Sequence, residues 1–158
     1  MKRDDKNGQF FLIATVIIVA LIIALATYIN YSRTESYSKI KELKKELEIE
    51  SSYVLDYGIY NEKDMNNLLE KFATNFSDYV GEDINLYFIY GKEGSLQGLK
   101  YEQGTKDTLT VSESGGKATI TIEGKEYEFD INAGQSFYYV LSQDINGEKY
   151  IATSQNVE

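Results

Sequence analysis

The side chains in this sequence that could do chemistry carry oxygen or amine groups, because histidine and cysteine are both absent. That removes the commonest general base and metal ligand, together with thiolate nucleophiles, disulfides and Cys-ligated zinc or iron–sulfur centres. Carboxylates can work as acid–base pairs, but here the acidic residues are scattered along polar faces. The nearest thing to a metal loop is Asp144-Ile145-Asn146-Gly147-Glu148. It alternates oxygen-bearing residues around a glycine, yet lacks the third regular ligand and the distal bidentate glutamate of a calcium loop. A hairpin turn accounts for it, since Asn-Gly favours positive φ. There is no nucleophile elbow, phosphate-cradling glycine loop or zinc motif. The expectation is therefore a protein that is not an enzyme, with no catalytic residues, no metal and no cofactor.

Two modification signals remain. Asn30-Tyr31-Ser32 and Asn75-Phe76-Ser77 are N-glycosylation sequons. Asn30 would lie almost at a membrane surface if the preceding run spans lipid. Asn75 is the better acceptor, although Phe76 beside it reads as a core residue. The 14 tyrosines suit an adhesive face, but several fall in expected strands, where aromatics are favoured anyway.

The elements that must carry these residues begin with an apolar run. Phe10 to Ile29 is 20 residues without a charge. At about 1.5 Å per residue such a helix spans about 30 Å, the hydrocarbon thickness of a bilayer. Backbone groups in lipid must pair internally, so the run should be helical despite its Ile and Val content. Two alternatives stand beside a membrane span. One is a buried core helix, for which the run is unusually long and uniform. The other is a cleaved export signal, for which Ala24-Leu25-Ala26 supplies a small-x-small site and Lys2, Arg3 and Lys6 a basic start. Nothing polar or helix-breaking separates the run from that site. Arg33, Lys39, Lys41, Lys44 and Lys45 follow the span, so charge counting alone does not orient it.

Beyond the run the helical period continues. No Gly or Pro occurs from Gln9 to Tyr57, and Tyr37, Ile40, Leu43, Leu47 and Val54 form one stripe, with Gly58 as the expected cap region. A second helix is expected from an Asn61 N-cap to Gly81, with Met65, Leu68, Phe72, Phe76 and Tyr79 as its apolar face. The period then switches to alternation. Residues 84–90 are apolar on both faces, as in a covered central strand. Further strands are expected near Leu99–Glu102, at 108–112 with Leu109 and Val111 inward, at 117–122, at 125–131, and in a hairpin around Asn146-Gly147. Five or six mostly antiparallel strands after two helices imply an α+β domain, with the amphipathic helix on one face of the sheet.

From Tyr31 onward the chain carries 13 Lys+Arg against 23 Asp+Glu, a net charge of −10. Such a body repels phosphate backbones, so nucleic acid is excluded as a partner.

The layout resembles type IV pilins and their archaeal relatives, which carry class III signal peptides. The resemblance rests on a short charged leader ending in Gly8, an apolar helix starting directly after it, an amphipathic continuation and a C-terminal sheet. In one archaeal pilin class the cut falls between Gly and Gln, and Gly8-Gln9 matches that pair. The resemblance implies a leader (1–8), a transmembrane or filament-core helix (9–30) and an extracytoplasmic domain (31–158). It implies cleavage after Gly8 by a membrane prepilin peptidase, with the helix retained and passed to pilus assembly machinery. It also implies a cytoplasmic N-terminus, an external C-terminal domain, and a homo-oligomer or filament at the cell surface. Two positions depart from the pattern. Ile13 stands where such pilins usually carry Glu, at the fifth mature position, and Asn7 stands where a basic residue is common. A permanently anchored ectodomain that binds a partner at the cell surface is the alternative.

Overall fold

The structure is a computed structural model that describes residues 5–145 and 147–154; within the first helix, side chains are described for residues 13–31 and from residue 39 on. The described chain forms two helices, α1 (Asp5–Tyr60) and α2 (Met65–Val80), followed by eight strands. The fold is α+β, with a long N-terminal helix that is apolar in its first part. The chain divides into two compact units, Met1–Ser38 and Lys39–Glu158.

In the second unit, α1 contributes one stripe to the core. Ile40, Leu43 and Leu47 are buried there and Val54 is half-buried, as the spacing predicts. Tyr37, the first residue of the expected stripe, has its side chain outside the described residues. The Tyr139 hydroxyl adds a polar tie, donating to the Lys44 carbonyl at 3.2 Å.

The turn between the helices differs from expectation. Gly58 does not cap α1, which runs on to Tyr60. A Cβ at Gly58 would stand 2.2 Å from Met65 Sδ and 2.9 Å from Leu68 Cδ2, so the bare glycine leaves room for the ends of those two side chains. Asn61 is not the N-cap of α2; its Nδ2 donates to the Tyr57 carbonyl at 2.8 Å and closes α1. Asp64 is the cap, with extended backbone and Oδ1 accepting from the Asn67 N–H at 3.3 Å. Gly81 ends α2 at φ 82°, as expected. The buried face of α2 is Leu69, Ala73, Phe76 and Val80, with Met65 and Phe72 half-buried against it, whereas Tyr79 is 66% exposed. The face is turned by about one residue from the expected stripe, because Ala73 and Ser77 pack closely where larger residues were favoured.

The sheet is also richer than the expected five or six strands. One antiparallel sheet has five strands: β1 (Asn85–Lys92), β2 (Gln97–Glu102), β3 (Thr105–Thr108), β7 (Gln135–Ile145) and β8 (Glu148–Thr153), in the order β3-β2-β1-β7-β8. A second, three-stranded sheet is formed by β4 (Ser112–Ser114), β5 (Lys117–Ile122) and β6 (Lys125–Asp130). Residues 109–111 are a link between the sheets rather than the middle of a strand. Leu109 is nevertheless buried, and its N–H donates to the Gly98 carbonyl at 3.0 Å.

The two sheets explain why β1 is apolar on both sides. Leu86, Phe88 and Tyr90 face the helices, in one cluster with Leu69, Phe76 and Leu47. Tyr87 and Ile89 face the small sheet, in a second cluster with Ala118, Ile120, Ile122, Tyr127 and Phe129. Strand β7 divides in the same way, Tyr139 and Leu141 against Tyr138 and Val140. The five-stranded sheet is thus the middle layer of three.

Candidate functional site

The apolar part of the first helix is the candidate site. Within α1, Ile13–Tyr31 is a 19-residue segment of mean hydropathy 2.4, none of it buried. Its large side chains are open to the surroundings, for example Ile17 at 54% and Leu25 at 61% exposure. By length and composition this segment can cross a membrane. Helical hydrogen bonding satisfies its backbone, and the Thr27 hydroxyl donates to the Ile23 carbonyl at 2.9 Å, so that hydroxyl brings no unmet donor into lipid.

The segment ends at Tyr31, two residues past Ile29, where the span was expected to end. Tyr28 and Tyr31 are 71% and 69% exposed at its C-terminal end. Amphipathic rings at a span's end suit the membrane–water interface. Tyr28 lies inside the expected span and Tyr31 beyond it, past the last aliphatic residue, Ile29. Gly8 and Gln9, the expected processing pair, and Phe10, the expected start of the span, fall within α1, where only the backbone is described.

The sequons fall in unlike settings. Asn30 is exposed near the end of the apolar segment, and the side chain of Ser32 is outside the described residues. Asn75 is exposed on α2, beside Lys71, Thr74 and Lys106. Its triplet is helical, and both Phe76 and Ser77 are buried.

The loop with calcium-like spacing is a hairpin between β7 and β8. The Asp144 carboxylate accepts the Gly147 N–H at 3.0 Å, and Asn146 lies outside the described residues. Among the described residues, no three His, Cys, Asp or Glu side chains gather as a metal site.

The second unit carries a polar groove of about 580 Å³ where the edge of the larger sheet meets the small one. Tyr87, Lys100 and Glu102 form its best-defined cluster. The Tyr87 hydroxyl donates to Glu102 Oε1 at 2.8 Å, and Lys100 Nζ meets Glu102 Oε2 at 3.0 Å. The Tyr87 hydrogen bond, then that of Lys100, holds the Glu102 carboxyl below its usual range. Burial first, then the bond to Glu102, pushes the Tyr87 phenol up. Each group is thereby fixed in its ordinary charge state at neutral pH, which suits a structural tie rather than proton transfer. Compared with family models, curated proteins and solved structures, the chain matches none.

Proposed function

We propose that this chain is a pilin-like surface protein, a subunit or minor component of a type IV pilus-like filament that assembles through its N-terminal hydrophobic helix. The observation that carries the reading is the unburied apolar segment Ile13–Tyr31 on the helix whose later turns enter the core of an α+β domain. Gly8-Gln9 just before the apolar run supports processing by a prepilin peptidase.

The mechanism is physical. In the bilayer the helix waits as a single-pass anchor, N-terminus inside and domain outside. On assembly it exchanges lipid for the same stretch of neighbouring subunits. Close packing drives that step, since lipid is already apolar. One contact repeated along a helical path gives an open filament. Ile13, in place of the usual glutamate, favours a second reading: a permanently anchored ectodomain that binds a partner at the cell surface.

The N-terminal sequence and intact mass of the protein from its own membranes separate the two. Cleavage leaves Gln9 first with the helix retained, and Gly8→Val blocks it. Identical N-termini in parent and variant, both at Met1, would leave only the anchored ectodomain.

A further inference from the structure

We propose that a cavity between α2 and the β2–β3 hairpin binds a sugar ring, met by the Tyr90 hydroxyl at its base and by the Glu70–Lys106 pair at its rim. The cavity measures about 660 Å³, within the range of small-molecule sites. Leu96, Leu99 and Leu109 give it an apolar wall. Tyr90 lines it and is 2% exposed. Four other buried tyrosines, Tyr87, Tyr101, Tyr138 and Tyr139, each hydrogen-bond to a neighbour. Among the described residues the Tyr90 hydroxyl has no such partner; Glu70 and Tyr101 stand near enough to act on its phenol through charge, without a hydrogen bond. Nor is that hydroxyl sealed. Among the described residues, the unpaired side-chain atoms closed off from solvent are Ser142 Oγ and Gln143 Oε1. The Tyr90 hydroxyl therefore opens into the cavity that the residue lines. A buried hydroxyl without a partner is costly, and a ligand that meets it removes that cost on binding.

The lining selects the ligand. At the rim Lys106 Nζ meets Glu70 Oε1 at 2.8 Å, and both side chains are partly exposed. An ammonium beside a carboxylate sets donors next to acceptors, which adjacent hydroxyls of one ring can meet together. The leucine wall takes the C–H face of the same ring. Charged ligands fit less well. The other rim carboxylate, Asp107, also faces a lysine, with Lys100 Nζ at 3.8 Å, so both carboxylates already have a cation beside them. Among the described residues no three acidic side chains gather to hold a metal. The net charge of −10 from Tyr31 onward repels anions. A wholly apolar ligand would leave the Tyr90 hydroxyl unmet. A neutral, hydroxyl-rich ring with an apolar face answers each of these groups. The inference stands on the second unit alone and needs neither the membrane span nor cleavage.

Tyr90→Phe isolates the hydroxyl, because the ring that packs in the core stays in place. The full-length chain is held in dodecylphosphocholine micelles, since sugar-headed detergents would compete. Methyl β-galactoside, methyl α-mannoside and the methyl β-glycoside of N-acetylglucosamine are titrated while backbone amide resonances are followed. Their blocked anomeric carbon stands for a sugar within a glycan. The expected result is a Kd of about 1–10 mM for at least one glycoside, with the Gly98 and Leu109 amides shifting. Tyr90→Phe should weaken that binding about tenfold. It should leave Tm at or above the parent's, because no neighbour loses a hydrogen bond. Unchanged affinity in the variant, no response to any of the three glycosides, or shifts confined to the groove at Tyr87 overturn the inference. A fall in Tm does so too, since it would give the hydroxyl a partner within the fold. None of these outcomes touches the N-terminal readout of cleavage, so this inference and the pilin reading fail separately.

Discussion

At the scale of single residues, two glycines show how close approach fixes the second unit. A Cβ on Gly98 would stand 2.3 Å from the Leu109 carbonyl oxygen, a backbone atom in the link between the sheets. That link cannot retreat without disturbing buried Leu109 and its hydrogen bond to Gly98. Gly98→Ala should therefore cost about 1–3 kcal/mol, read from urea unfolding. Gly58→Ala should cost much less. Its Cβ meets the movable ends of Met65 and Leu68, and alanine gains about 1 kcal/mol in helix propensity. The reverse order would mean that the link, not the helix pair, is the compliant part. Tyrosine titration offers a second test. Burial is the main cause that pushes the Tyr90 phenol up to about 12, and it raises those of Tyr87 and Tyr139 as well. A folded pKa above the unfolded one means that the stabilisation is whole below about pH 10 and is lost as pH rises through the folded values. Phenolate absorbance should rise in two phases, exposed tyrosines first and these three only with alkaline unfolding. A single phase near the ordinary tyrosine value would refute the burial of all three.

At the scale of elements, α1 is two-sided within the second unit. Leu47 is fully buried, and Ile49, two residues on, is 47% exposed. Leu47→Ala should destabilise by about 2–5 kcal/mol. Ile49→Ala should change stability by no more than about 0.5 kcal/mol. Thermal unfolding of the full chain in micelles measures both, and equal costs would contradict docking through this face. The docking face of α1 was legible because leucine and isoleucine recur at helical spacing with charges between them. The capping of α2 was not. Asn61 and Asp64 are both good caps by type, and only the chain path decides that Asn61 closes α1 while Asp64 opens α2. The strand expected at 108–112 failed for a related reason. Leu109 and Val111 alternate as strand residues do, but they reach the second cluster from a link rather than from a ladder. Short β4, three exposed residues, carries no apolar signal at all.

At the scale of the whole molecule, the two-sided burial of β1 and β7 was legible, but its cause was not. An apolar run such as 84–90 announces cover on both faces without saying whether helix or sheet supplies it. The answer, helices on one side and β4-β5-β6 on the other, depends on pairings distant in sequence. The processing pair and the sequons were legible as motifs, but a motif carries no burial, and Ser77 is buried. Both core clusters draw only on residues from Ile40 onward. The fragment Lys39–Glu158 should therefore fold alone, with a cooperative thermal transition close to that of the full chain. It should also stay in the aqueous phase on detergent partitioning, while the full chain enters the detergent phase. Loss of cooperative unfolding would show that the core needs the preceding residues. Detergent partitioning of the fragment would show that the apolar segment is not what anchors the chain.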